Sequence, residues 1–246
     1  MRRTLMILFS LTFYAIFLAT FVYLVGFVGA LPGLPKTVDS GAPGPLLPAL
    51  AINIGLIALF GVQHSVMARK GFKTLWTRIV PAPLERSVYV LFASLVLIAL
   101  YVFWRPIAGE VWRVDHPVAA GLLWCLFAAG WLIVLLSTWL INHFELFGLQ
   151  QAWLHLRGRV AAAPEFRQPF FYRIVRHPLY SGFFIAFWAT PVMTWGHLLL
   201  AAGMSIYILI AIGHEERDLI DAFGPQYEAY RRRVGKLVPG IGRARP

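Results

Sequence analysis

Charged residues are scarce in this chain of 246 residues: Asp, Glu, Lys and Arg together make up 13% of it, against roughly 25% in soluble proteins. Hydrophobic residues make up 59% of the chain, and its mean hydropathy is +0.69. These values exclude an ordinary soluble domain, because water could not solvate so much apolar surface. They indicate that lipid surrounds much of the protein.

Acidic residues and cysteine are scarcer still. Eleven Asp and Glu stand against 22 Lys and Arg, a net charge of +11. The basic residues interrupt apolar runs instead of forming one patch, so we expect anionic lipid headgroups as their nearest partners and no nucleic acid. The single cysteine, Cys125, excludes an intramolecular disulfide.

Four apolar runs are each near the length that crosses a bilayer: Leu5–Leu31, Leu47–Ala68, Ser87–Trp104 and Pro117–Ile141. A span needs about 20 residues, whereas the core of a signal peptide has about 7–15, so we interpret the first run as a retained helix. None of the four alternates with a period of two as barrel strands do. They therefore predict four transmembrane helices.

A fifth apolar region covers 178–213, with Pro191 and Trp195-Gly196 near its middle. These residues favour a turn, so the region predicts a hairpin of two short helices. The predicted fold class is an all-α integral membrane protein. It has four long transmembrane helices, a C-terminal membrane helical hairpin and a cytoplasmic helical tail.

The basic residues also predict the orientation of these helices. With the N-terminus in the cytoplasm, all but three of the 22 Lys and Arg fall on the cytoplasmic side; the exceptions are Lys36, Arg105 and Arg113. Because cytoplasmic loops carry an excess of Lys and Arg, this distribution predicts that both termini are cytoplasmic.

The segment Arg176–Gly182, with the sequence RHPLYSG, is the first candidate for a functional site. Pro178 disfavours a helical His177 and suits the first position of a helix. Such a helix N-terminus binds anions, and Arg176 or His177 would add polar contacts to a carboxylate. An interfacial arginine followed by a turn proline explains the same pattern.

A second candidate follows the apolar region: Glu215-Glu216 at the end of a membrane helix, then Gly224-Pro225, Tyr227 and Tyr230. Placing adjacent carboxylates beside lipid costs free energy unless cations neutralise them. The pair therefore favours a positively charged ligand. The alternative is a solvated helix cap paired with Arg217 or Arg231.

Taken together, the Arg-His-Pro-x-Tyr-x-Gly, Glu-Glu-x-x-Leu and Phe-Gly-x-x-Tyr-x-x-Tyr segments resemble the isoprenylcysteine carboxyl methyltransferase superfamily. The resemblance implies methyl transfer within the membrane and an S-adenosyl-L-methionine site in residues 142–246, following transmembrane helices in 1–141. The implied cofactor-binding residues are Arg176, His177, Pro178, Tyr180, Gly182, Asn142, His143, Glu215, Glu216, Tyr227 and Tyr230.

Further segments resemble one branch of that superfamily, the bacterial methanethiol S-methyltransferases: Gln63–Arg69, Pro83–Ser87, Ile141–Gly148 and Phe187–Pro191. This resemblance covers nearly the whole chain. It implies a small volatile thiol as substrate, conversion of methanethiol to dimethyl sulfide, and a bacterial inner membrane. The prenylcysteine enzymes have an arginine shortly before the glutamate pair, whereas 208–213 are uncharged here, which argues against a carboxylate substrate.

Polar residues within the spans supply candidates for the base that a thiol requires, since an ordinary thiol has a pKa of about 8.5. Asn53 and His64 are spaced to share one face of the second span. Thr138, Asn142 and Glu145 have the spacing of one stripe at the end of the fourth. We take His64 as the first candidate base and His214 as the second, with Glu145 or Glu215 orienting it. For His64 a hydrogen-bonded packing role is the alternative.

Two other functions compete with thiol methylation. An enzyme of the same fold could act on a prenylcysteine carboxylate or a phospholipid. A non-catalytic haem-binding or transport protein would use some of five histidines: His64, His143, His177, His197 and His214. They lie on separate segments without the spacing of metal ligands, so we predict no metal site.

Overall fold

A computed structural model describes residues 1–160 and 165–244. The predicted loop before His177 and the predicted tail each include a few residues outside these ranges. The helices in the described part are α1 (Arg2–Val28), α2 (Leu46–Ala68), α3 (Lys70–Trp76), α4 (Glu85–Phe103), α5 (Pro117–Ile141), α6 (His143–Leu146), α7 (Leu149–Leu156), α8 (Pro178–Trp188), α9 (Trp195–Phe223) and α10 (Pro225–Arg233). Two short strands, β1 (Glu110–Arg113) and β2 (Val192–Thr194), pair with each other.

Five of the helical segments described are long and apolar enough to cross a membrane: α1, α2, α4 with the preceding turn, α5 and α9. The first four correspond to the predicted spans. Large apolar side chains such as Leu8, Val22 and Leu122 are exposed on their surfaces, as lipid-facing helices require. The prediction of an all-α membrane protein is confirmed.

The C-terminal part of the prediction was wrong in one respect. A short helix, α8, is followed by a connection containing Pro191, but the second helix is not short: α9 runs for 29 residues. It begins at Trp195, where a turn was predicted. It continues through Glu215 and Glu216 because no proline occurs before Gly224-Pro225. The glutamate pair therefore lies inside a helix instead of at its end.

The described chain divides into two compact units. The first comprises Met1–Glu110, residues 143–160 and Thr194–Leu200. In it α1 packs against α4 and α7, and α2 packs against α4. Ser87 donates a buried hydrogen bond of 2.9 Å to Ser10. Gly148 fits beside Ser87 because it has no side chain: a Cβ there would lie 2.6 Å from the Ser87 nitrogen.

The second unit comprises Val111–Asn142, residues 165–193 and residues 201–244. Its main helix contact joins α5 to α8. A Cβ on Gly130 would lie 2.6 Å from the nitrogen of Ala186, and one on Gly182 would lie 2.7 Å from the oxygen of Gly130. The two backbones therefore touch where both helices carry glycine, as small residues allow in membrane helix pairs. This crossing fixes α8 and hence the turn at its start.

The predicted stripe of Thr138, Asn142 and Glu145 was wrong. Helix α5 ends at Ile141, Asn142 has a non-helical backbone, and Glu145 lies on the separate α6. Helical spacing cannot be extended across such a break. The other predicted pair, Asn53 and His64, does lie on one continuous helix, α2.

Candidate active site

The turn at His177 and Pro178 forms as the sequence predicts. Pro178 is the first residue of α8, and His177 caps it with a non-helical backbone. The chain near the C-terminus holds this turn: the N–H of Arg176 donates to Gly235 at 2.8 Å and that of His177 donates to Lys236 at 3.1 Å. Parallel pairing of Val175 with Gly235 continues this contact. The turn and the C-terminal segment therefore form one structural element.

At this turn lies a buried ionic cluster, which we call the Glu216 cluster: Arg176, His177, Glu216 and Arg231. The carboxylate of Glu216 contacts three side chains: it lies 2.8 Å from that of Arg176, 3.2 Å from that of His177 and 3.3 Å from that of Arg231. The side chains of Arg176 and Glu216 are 1% and 6% exposed. Burying a carboxylate is costly, and these three partners offset that cost. Glu216 is therefore neither solvated nor a free anion.

Arg176 also ties the C-terminal segment to the cluster. Its guanidinium donates to the backbone oxygens of Arg231, Val234 and Gly242 in addition to Glu216. An arginine 3% exposed is not the interfacial side chain that was the alternative explanation. Its donors are engaged within the chain, and they join Glu216 to the segment that follows α10.

Glu215 is in a different environment from its neighbour. Its side chain is 45% exposed, and the imidazole of His177 lies 3.8 Å from its carboxylate, too long for a hydrogen bond. Burial and then the Glu215 carboxylate raise the pKa of Tyr172. Glu215 is therefore the carboxylate of the pair that remains accessible to a ligand.

Two tyrosines of α10, Tyr227 and Tyr230, are buried beside this cluster, each 2% exposed. Phe166 packs edge-on against both rings, and Tyr230 donates to the Tyr172 backbone oxygen at 2.5 Å. Burial raises the pKa of Tyr230 to about 12, and burial followed by Glu216 raises that of Tyr227. Both remain neutral phenols near neutral pH.

Several predicted site residues thus come together in the second unit, namely Arg176, His177, Glu216, Tyr227 and Tyr230, with Glu215 against His177. The ring of Tyr180 lies 5.8 Å from that of His177. Gly182 is explained by the α5–α8 crossing. His214 lies on α9 directly before the glutamate pair and is half-buried. Sequence reasoning missed Tyr172 and Phe166, because no motif includes them.

The remaining candidates, His64, His143 and Glu145, belong to the first unit. The ring of His64 stacks on Phe60 and lies 5.0 Å from Tyr89. His143 is buried, and its Nε2 lies 2.7 Å from the Tyr14 hydroxyl. Burial lowers the pKa of His143, which favours the neutral ring. Glu145 is exposed on α6. Asn142, at the end of α5, belongs to the second unit.

No group of three or more His, Cys, Asp or Glu side chains that could hold a metal ion occurs within 1–160 and 165–244.

The chain was compared with known proteins. It is 49% identical to a methanethiol S-methyltransferase of Crocosphaera subtropica over 99% of this chain and 95% of that protein. It is 50% identical to one of Mycobacterium tuberculosis over 97% of this chain and 98% of that protein. Human Nurim is 29% identical over 81% of this chain and 84% of its own length. No protein-family model and no solved structure matches the chain.

With five described helices long enough to cross a membrane and with these relatives, the protein is a membrane-embedded methyltransferase. The chain belongs to the methanethiol S-methyltransferase family.

Proposed function

We propose that the chain transfers a methyl group from S-adenosyl-L-methionine to methanethiol and releases dimethyl sulfide. The observation that carries this proposal is identity of 49–52% over nearly the whole chain to several bacterial proteins with methanethiol S-methyltransferase in their names. Family membership at this level covers both units, so it includes all of the residues discussed above.

The residues present fit such a cofactor. S-adenosyl-L-methionine carries an ammonium and a sulfonium, which call for carboxylate or aromatic partners, and a carboxylate, which calls for N–H donors. Glu215 supplies an accessible carboxylate. The start of α8, which lies at His177, supplies backbone N–H donors, as the first turn of a helix does.

In this proposal the Glu216 cluster positions the turn at His177 and the C-terminal segment, and Glu215 binds the cofactor. When bound, the cofactor supplies an electrophilic methyl group on its sulfonium. Arg176 holds Glu216 and the C-terminal segment, Glu216 holds His177, and His177 fixes the start of α8. Tyr227 and Tyr230, which the resemblance implies as cofactor contacts, stay neutral and lie buried beside the same cluster. The remaining implied contacts, Asn142, His143, Tyr180 and Gly182, belong to the proposal as expected from the resemblance.

Thiolate formation requires a base or a strong electrostatic pull, because an unperturbed thiol is mostly protonated at neutral pH. We keep His64 as the first candidate and His214 as the second, with Glu145 or Glu215 as the orienting carboxylate. His214 directly precedes Glu215 on α9, whereas His64 lies among the rings of Phe60 and Tyr89.

Replacing each histidine tests these assignments. If His64 is the base, His64→Ala retains S-adenosyl-L-methionine binding by calorimetry but loses methyl transfer, while His214→Ala keeps turnover. Full turnover by His64→Ala would reject the first assignment, and loss in His214→Ala alone would support the second.

The site of action in this proposal is a bacterial inner membrane with both termini in the cytoplasm. This orientation requires an even number of crossings, so α8 with its connection crosses the bilayer as the partner of α9. The cofactor-binding region is 142–246, and the transmembrane helices of 1–141 hold it in the bilayer.

Headspace gas chromatography tests the function directly. Purified protein in lipid nanodiscs, given methanethiol and S-adenosyl-L-methionine, should release dimethyl sulfide, and omission of either compound should abolish it. In parallel, cofactor labelled on the methyl group is supplied with phospholipid or a prenylcysteine. Label found in the phospholipid or the prenylcysteine, with no dimethyl sulfide, would contradict the proposal and favour a methyltransferase of the same fold that acts on that compound.

A further inference from the structure

Two basic side chains of the first unit, Lys36 and Arg105, lie at the end of α1, α2 and α4 opposite the basic segment 69–86. Both line one small cavity of about 250 Å³, together with Ser40 and Trp104. Within 1–160 and 165–244, neither forms an ion pair with a carboxylate. Lys36 donates to the backbone oxygen of Val102 at 2.5 Å, in the last turn of α4. This contact favours a cation but supplies no full negative charge.

A polar side chain fixes the backbone of each cation. The hydroxyl of Tyr23 donates to the oxygen of Lys36 at 2.7 Å and accepts from its nitrogen at 3.1 Å. Asn53, fully buried on α2, donates to the oxygen of Arg105 at 2.7 Å and accepts from its nitrogen at 2.9 Å. The same two-way arrangement therefore holds two like charges at one cavity.

Holding these charges together has an electrostatic cost. Burial, followed by the positive charge of Arg105, lowers the pKa of Lys36. Like charges in one cavity disfavour each other, so an anion bound between them would remove this cost and form charge-assisted hydrogen bonds with both.

An apolar groove opens from the same two residues. A second cavity of about 530 Å³ shares Pro35 and Lys36 with the first and runs between α1 and α4, along Ala19, Ile98 and Val102. These helices are candidate membrane spans, so the groove lies at the depth of lipid acyl chains. A cationic pocket that continues into an apolar groove is complementary to an anionic amphiphile, not to a free anion.

We infer that this continuous surface binds one anionic phospholipid, with its phosphate between Lys36 and Arg105 and an acyl chain in the groove between α1 and α4. It shares no residue with the Glu216 cluster and does not depend on the proposed substrate. The lipid would link α1 and α4 at the membrane surface that carries few basic residues.

Native mass spectrometry of the detergent-solubilised full chain tests this inference, with phosphatidylglycerol and phosphatidylcholine titrated in turn. We expect one phosphatidylglycerol to bind saturably and more tightly than phosphatidylcholine. Lys36→Gln and Arg105→Gln should each weaken it about fivefold and the double variant about thirtyfold, since each basic residue contributes roughly 1 kcal/mol to anionic lipid binding. The control is Arg113→Gln, the third basic residue predicted on that side, which lines neither cavity.

A second pair of measurements separates a lipid from a free anion. Ala19→Leu narrows the groove, so it should weaken the binding of phosphatidylglycerol without affecting the binding of glycerol phosphate. Equal retention of phosphatidylglycerol by wild type and the double variant would overturn the inference. So would equal affinity for both phospholipids, or protection from thermal unfolding by glycerol phosphate alone that matches phosphatidylglycerol.

Discussion

Two adjacent glutamates on α9 differ because the helix turns by about 100° from one residue to the next. Glu216 faces Arg176, His177 and Arg231 and is buried, whereas Glu215 is 45% exposed. Because the two side chains are chemically identical and only their surroundings differ, each glutamate is the control for a substitution of the other.

Glu216→Gln should therefore lower stability, and Glu215→Gln should not. The first change leaves Arg176 buried without its counter-ion, which costs about 3 kcal/mol. The second removes a carboxylate from a half-exposed position and should instead weaken S-adenosyl-L-methionine binding. Thermal unfolding in detergent micelles and calorimetry of cofactor binding measure the two effects. If Glu215→Gln unfolds early and Glu216→Gln does not, the roles assigned to the two carboxylates are reversed.

Individual residues were predictable from the sequence when a motif or a rigid backbone preference determined them. Pro178 gave the start of α8 because proline suits that position in most contexts. The division of roles between Glu215 and Glu216 was not predictable, because it depends on Arg176 and His177, which are distant in sequence; of the three partners of Glu216 only Arg231 was considered from the sequence. Tyr172 and the backbone oxygens that bind Arg176 belong to segments without any motif.

At the scale of helices, the glycines of α5 are of two kinds. Gly130 contacts the backbone of α8, whereas nothing lies within 4 Å of the position that a Cβ on Gly121 would occupy. Both residues are in the same membrane helix, so they share lipid exposure and helix propensity to a first approximation. Only the contact distinguishes them.

Gly130→Ala should destabilise the protein and Gly121→Ala should not. The new methyl group on Gly130 forces α5 and α8 apart, at a cost of about 1–3 kcal/mol. On Gly121 it meets no protein atom, and alanine favours a helix over glycine. The midpoint of thermal unfolding reports both. Equal midpoints for the two variants would show that the α5–α8 crossing tolerates separation.

Helix lengths follow from the same reasoning about what ends a helix. The four predicted spans agree with α1, α2, α4 and α5 to within a few residues, because each ends near a proline, a glycine or a polar loop. Helix α9 was underestimated because charged residues were taken as its end. The helix continues through Glu215 and Glu216, because counter-ions from α10 and from the turn at His177 neutralise Glu216. Only tertiary contacts reveal such compensation.

For the whole molecule, the uneven distribution of basic residues makes a prediction about orientation. Helix α2 separates a loop with few cations, where Gly44 is exposed, from the basic segment that begins at Arg69, where Thr77 is exposed. Under the positive-inside rule the first loop faces outward and the second faces the cytoplasm. Two new cysteines at these exposed positions can be compared directly, in a background that lacks Cys125.

Gly44→Cys and Thr77→Cys, each combined with Cys125→Ser, should therefore react differently with a membrane-impermeant maleimide in spheroplasts. Gly44→Cys is expected to be labelled at once, and Thr77→Cys only after lysis, because α2 crosses the bilayer between them. The reverse pattern would invert the orientation of the whole chain and put the candidate cofactor site on the outer side, where S-adenosyl-L-methionine is not made. Labelling of both from outside would mean that α2 does not cross, although its length and composition suffice.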